Sequence, residues 1–144
     1  MTDTFVTVQG WLGNDVQVRQ AGDAQVASFR LGCTPRRFHR RTGAWVDGPT
    51  QWYTVDAWRA LGENCRDSLR RGDPVVVHGR LEARVWTNSA GAEVTTMVLE
   101  AASVGHDLAR GVSRFRKAAR VETATPEGPS VAAPAGEQAA APAA

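Results

Sequence analysis

The sequence predicts an all-β domain: a small barrel of five strands in Greek-key order, with one helix between the third and fourth strands. Three observations carry that prediction. Apolar and polar residues alternate over short runs at 4–12, 25–34, 51–58, 75–86 and 93–104, the two-residue period of half-buried strands. A single segment, 59–71, instead repeats apolar residues at four-residue steps, at Leu61, Cys65 and Leu69. Gly10 and Gly79 fall where the strands of a small barrel must bend. An open α+β sandwich is the competing arrangement of these elements.

In the first strand Val6, Val8 and Leu12 face inward, and Gly10 permits a bend or a close crossing by another strand. Gly13-Asn14-Asp15 is a turn signal, after which Val16–Arg19 continues the strand to a second turn at Gly22-Asp23. Ala27, Phe29, Leu31 and Cys33 make the apolar face of the second strand, opposite Ser28, Arg30, Gly32 and Thr34. Pro35 ends it. Residues 36–50 then form a hairpin arm with turn residues at Thr42-Gly43 and 47–49, and with Phe38 and Trp45 as large apolar groups. The helix is closed by Gly72 as C-terminal cap, with Arg70 and Arg71 at the negative end of its dipole and Pro74 beyond. Turn residues at 87–91 separate the last two strands. Strand, strand, strand, helix, strand, strand is the layout of an OB-fold.

That domain occupies residues 1–106. In the basic extension 107–120, Leu108, Val112 and Phe115 stand at helical spacing, although Gly111 weakens such a helix by about 1 kcal/mol relative to Ala. Residues 121–144 are dominated by Ala, Pro, Gly, Glu and Thr, contain no aromatic, and read as a disordered tail. The charge is uneven. All 17 basic residues, 16 of them Arg, and 12 of the 15 acids lie within residues 1–120, a net +5 there against −3 in the rest. A basic body is compatible with a polyanionic partner, and the arginine excess is equally what a G+C-rich genome produces. There is neither a signal peptide nor an apolar run of membrane-spanning length, so the expected location is cytoplasmic. Cys33 and Cys65 lack metal-ligand spacing and read as buried thiols.

The stretch 51–58 is the first candidate site. As a strand it places Trp52, Thr54, Asp56 and Trp58 on one face and Tyr53, Val55 and Ala57 on the other. The second set suits a core, whereas two indoles separated by polar residues suit a half-wet surface. Upstream, Arg36, Arg37, Arg40 and Arg41 surround Phe38 in the arm. Flat π-faces beside arginines are what a single-stranded nucleic acid needs: bases stack and phosphates pair with the cations. No catalytic constellation, metal-ligand set or phosphate-binding glycine loop accompanies them, so no enzyme activity and no cofactor are expected.

Leu12-Gly-Asn-Asp15, Val26-Ala-Ser-Phe-Arg-Leu31, Thr42-Gly43, Gln51-Trp52, Leu69-Arg-Arg-Gly72, Val76-Val-His-Gly-Arg-Leu81 and Arg84-Val-Trp-Thr87 occur in this order. As a set spanning residues 4–106 they resemble bacterial single-stranded DNA-binding protein. The short length and the run His106-Asp-Leu-Ala-Arg-Gly111 are similar to the shorter paralogues of actinobacteria. The resemblance implies an OB-fold, a homotetramer, nucleoid association, and single-stranded DNA wrapped over aromatic platforms without sequence choice. Trp52 and Trp86 stand where that family places base-stacking tryptophans, and Trp58 where it often has phenylalanine. Phe38 is the equivalent of a third platform at the start of an arm one residue shorter than the common form. Arg30, Arg36, Arg37, Arg80 and Arg84 match basic or polar neighbourhoods. Replicative members end in an acidic tip with a terminal Pro-Phe; this sequence ends in Ala and Pro, so recruitment of repair proteins through such a tip is not expected. Two alternatives stay open: an OB module whose aromatics serve protein assembly, and single-stranded RNA as the ligand.

Overall fold

Half-buried strands need partners on both edges, and this chain supplies them by closing a ring. The computed structural model describes residues 2–119; the tail expected from 121 onward lies outside them. The chain divides into a unit ending at Arg114 and a second beginning at Phe115, whose residues 115–119 carry no regular secondary structure. The first unit contains β1 (Thr4–Leu12), β2 (Gln17–Ala21), β3 (Ala24–Cys33), β4 (Arg36–His39), β5 (Ala44–Asp47), β6 (Gln51–Trp58), α1 (Arg59–Ser68), β7 (Pro74–Thr87) and β8 (Glu93–His106). Strands β1, β7, β8, β6 and β3 are neighbours in that order, and Trp11 and Leu12 of β1 pair with Gly32 and Leu31 of β3 to complete the circle. The β6–β8 pairing is parallel and the others are antiparallel. The five predicted strands are the five staves of this OB barrel.

The interior follows the alternation. Phe29, Leu31, Val55, Val77 and Leu99 are fully buried, and Cys65 and Leu69 join them from the helical segment. At Gly10 the strands come close: an added Cβ would stand 2.4 Å from the carbonyl oxygen of Gly32. At the other predicted bend, β7 shifts register between His78 and Gly79.

Three expectations are corrected. Residues 16–19 do not continue β1. The Gly13 N–H donates to the Arg30 carbonyl (2.8 Å) and Asn14 Oδ1 accepts the Arg30 N–H (2.9 Å), which folds the turn back. Strand β2 therefore pairs with β3, from Gln17↔Ser28 to Ala21↔Ala24. The helix ends at Ser68 rather than Arg71, because Leu69 turns extended (φ −112°, ψ 146°) while still reaching the core. Gly72, at φ +91°, serves the following turn, where Asp73 Oδ2 accepts the Arg70 N–H, and does not cap the helix. Finally, residues 107–119 form no helix. Asp107 donates its N–H to Pro74 O and accepts the Ala109 N–H through Oδ1, making a turn. Leu108 and Val112 remain exposed, and a short helix with no apolar face to bury is marginal in water. At the same end, His106 bridges Asp73 Oδ2 (3.2 Å) and Ser113 Oγ (2.7 Å).

No helix among the described residues is long and apolar enough to cross a membrane. Burial pushes the Cys65 thiol up to about 11, whereas Cys33 is only half-buried; both are free. Since the thiolate is the reacting form, a colorimetric disulfide reagent at mildly alkaline pH should modify Cys33 in the native protein and reach Cys65 only on unfolding. Gly10→Ala should lower the urea midpoint, with a loss of about 1–3 kcal/mol for forcing a Cβ against backbone.

Candidate nucleic-acid interface

The outer faces of β3, β6, β8 and β7 form one continuous surface, and pairing fixes which side chains meet on it. Gly32 is opposite Trp52, Arg30 opposite Thr54, and Ser28 opposite Asp56. Across the next strands Arg80 is opposite Glu100, Arg84 opposite Thr96, and Trp86 opposite Val94.

Trp52 is seated by glycine. A Cβ on Gly13 would stand 2.7 Å from its Cζ3 atom, and one on Gly32 would stand 3.0 Å from the same atom. The Arg30 guanidinium lies 5.0 Å from the centre of the Trp52 ring, within cation–π range. The indole nevertheless remains 49% exposed. Trp86, 50% exposed, is fixed by its indole N–H, which donates to Thr96 Oγ1 at 2.8 Å. Thr96 lies two residues before Val98, the partner of Thr54, and so falls in the row of Trp52. The two exposed indoles flank one threonine.

Further along the same face the character changes. Asp56, predicted on a half-wet surface, is 1% exposed. It is covered because Ser28 Oγ donates to Oδ1 (2.7 Å) and Arg84 donates to Oδ2 (3.2 Å), with Arg19 donating in turn to Ser28 Oγ (3.1 Å). Arg84 also donates to Glu82 (3.0 Å), and Arg80 pairs with Glu82 (2.9 Å) and Glu100. The bond from Arg84 holds the Glu82 carboxyl below the usual glutamate range, with Arg80 adding to the effect. Hydrogen bonds to Glu100 and Glu82 respectively raise the Arg80 and Arg84 guanidiniums above the ordinary arginine value. Both arginines are thus engaged by carboxylates within the sheet.

The remaining predicted residues lie elsewhere. Trp58 is half-buried where β6 meets α1. Phe38 is exposed on the arm, opposite Trp45. Arg36 pairs with Asp47 at 3.1 Å, while Arg30, Arg37, Arg40 and Arg41 have no carboxylate partner among the described residues. The structure therefore brings together Trp52, Trp86 and Arg30, links Arg84 to Arg80 through Glu82 on the same sheet face, gathers Phe38 with Arg36, Arg37, Arg40 and Arg41 on the arm, and sets Trp58 apart. Sequence reasoning missed Gly13 and Gly32 as the seat of Trp52, and Glu82 and Glu100 as the partners of the sheet arginines. The run 12–15 was visible as a turn; nothing in it named the ring it makes room for.

Residues 4–107 match the Single-strand binding protein family. The chain belongs to that family. Among its relatives, single-stranded DNA-binding protein 1 of Streptomyces coelicolor is 39% identical over 125 residues, 87% of this chain and 80% of the relative. Single-stranded DNA-binding protein 2 of Tropheryma whipplei is 40% identical over 113 residues, 78% of this chain and 74% of the relative. The crystal structure of the small single-stranded DNA-binding protein from Streptomyces coelicolor superposes with a TM-score of 0.68 at 37% identity, covering 77% of this chain and all of that one. The second single-stranded DNA-binding protein of Mycobacterium smegmatis gives 0.60 at 28% identity, covering 81% of this chain and all of that one.

The ion-pair network has a pH signature. A carboxyl whose pKa is depressed in the folded state adds stability above its unfolded pKa, and that stability is lost as pH falls through the folded value. Glu82 should therefore titrate below ordinary glutamate in a carbon-13 pH titration. Glu82→Gln should make stability fall less steeply on acidification.

Proposed function

We propose that this protein binds single-stranded DNA without sequence preference and coats it during replication, recombination or repair, in the cytoplasm and on the nucleoid. The observation that carries the reading is the pair of half-exposed indoles, Trp52 and Trp86, held rigidly on either side of Thr96 beside Arg30. A fixed π-face accepts any base, which makes such binding sequence-tolerant, and each stacked base contributes about 1–3 kcal/mol. The phosphates meet Arg30 and then the arm, where Arg37, Arg40 and Arg41 have no carboxylate partner among the described residues and Phe38 adds an aromatic surface. Arg80, Arg84 and Arg36 are already held by carboxylates and serve mainly to fix the surface. Trp58, half-buried beside the helix, offers a base only part of its ring.

The chain assembles with copies of itself, as a homotetramer. The outer face of β1 supports this: Phe5 stacks on His78 at 6.1 Å and is largely exposed, and Trp11 is exposed at the far end of the same strand. Aromatics on a strand face outside the nucleic-acid surface suit a subunit contact.

Titration with oligo-dT at low salt should quench the tryptophan fluorescence, and affinity should fall linearly on a log–log plot against salt. Replacing Arg37, Arg40 and Arg41 by Gln should flatten that slope by roughly 0.7 for each phosphate that is no longer neutralised, whereas Arg36→Gln should leave it nearly unchanged. No quench at low salt would sink the proposal, and equal or tighter binding of oligo-U would move it to RNA.

A further inference from the structure

Strands β4 and β5 set Phe38 and Trp45 directly opposite each other, so both rings stand on one face of the arm. Their centroids are 5.5 Å apart with planes at 66°, an edge-to-face contact. Such a contact covers a face of one ring only. Whichever ring supplies the edge, Phe38 leaves at least one face of the indole uncovered, and Trp45 is the more exposed of the two, 60% against 51%. It is also the larger π-surface. Along the same face of β4, alternation places Arg36 beside Phe38, and Arg40 is the first residue of the turn that follows the strand. Arg36 is tied to Asp47 at the base of the arm, while Arg40 has no carboxylate partner among the described residues. The arm thus carries the two kinds of group that the barrel offers at Trp52 and Arg30, an exposed indole and a guanidinium without a carboxylate partner among the described residues.

We propose that Trp45 is the base-stacking ring of the arm, braced by Phe38, and that it takes one unpaired base while Arg40 meets an adjoining phosphate. The inference rests on the proposed binding of single-stranded DNA and assigns the arm's contact to Trp45 rather than to Phe38. A purely structural pair, closing a hairpin that has no core of its own, would make the two rings equally important and leave neither against the ligand.

The test uses the full chain and oligo-dT in which thymines are replaced by 5-bromouracil, irradiated and mapped by mass spectrometry of tryptic peptides. Crosslinks at Trp45, together with those at Trp52 or Trp86, are expected. Trp45→Ala should weaken oligo-dT binding about tenfold, Trp45→Phe by less, and Phe38→Ala by no more than about threefold. Crosslinks confined to Trp52 and Trp86 would overturn the assignment while leaving DNA binding intact. So would crosslinks at Phe38, or wild-type affinity in both Trp45 variants. Absence of any bound or crosslinked oligonucleotide would instead remove the underlying proposal.

Discussion

Gly10 and Gly32 meet where β1 leaves β7 and crosses to β3, with room for no side chain between one residue and the other's carbonyl. That crossing closes the barrel, and closure removes the unpaired edges that an open five-stranded sheet would expose. It also sets the proposed ligand surface. Gly32 has the Trp52 ring against it, and the turn that follows β1 brings Gly13 against the same ring. In that turn Asn14 holds the backbone of Arg30, whose guanidinium lies over Trp52. Closure of the fold, the seat of one platform and the cation beside it thus depend on one stretch of β1 and its turn. A site built on such rigid elements keeps its geometry without a ligand present.

A second constraint acts across the sheet. Burying the Asp56 carboxylate is costly unless it is paired and hydrogen-bonded, and Ser28 and Arg84 from its two flanking sides meet that need. The network continues through Glu82 and Arg80 to Glu100. Pairs as exposed as these outer ones add little stability singly; their effect is to orient side chains over the sheet. The result is a surface with two regions. Near Trp52 and Trp86 it is aromatic with a free Arg30, and near Asp56 its positive charges are cancelled within the sheet. A polyanion gains little from the second region, so the positive charge available to it lies at Arg30 and in the arm.

The parts of this arrangement that were legible in sequence are those set by a period. Half-buried strands must alternate, which is why Phe29, Leu31, Val55 and Ala57 could be placed inside and Trp52 outside; Trp86 was placed by the family resemblance alone. The end of α1 was misplaced because Leu69 keeps the four-residue spacing from Cys65 and enters the core even though its backbone is already extended. Burial and helicity separate there, and periodicity reports only burial. Strand β2 was misassigned because its pairing depends on hydrogen bonds from Gly13 and Asn14 to Arg30, distant in sequence. Asp56 was assigned to the right face and the wrong environment for the same kind of reason. Alternation names the face; only the neighbours of the strand decide whether water reaches it, and Ser28 and Arg84 each lie 28 residues away.

The arm stands apart from the barrel in its energetics. All residues of β4 and β5 are exposed, and within this two-stranded sheet the Phe38–Trp45 contact and the Arg36–Asp47 pair tie the strands together. A lone hairpin of two strands is marginally stable in water, so the arm belongs to the low-stability end of the structure, where ligand-contacting elements are commonly found. Its free arginines repel one another when no phosphate is near. A bound strand would remove that repulsion and add a base against the ring pair. The barrel face, held by Gly32 and the Asp56 network, has no such repulsion to relieve. Salt would then weaken the two surfaces unequally: on the barrel it competes for phosphates beside a preformed platform, and on the arm it also screens the charge that the ligand's arrival relieves.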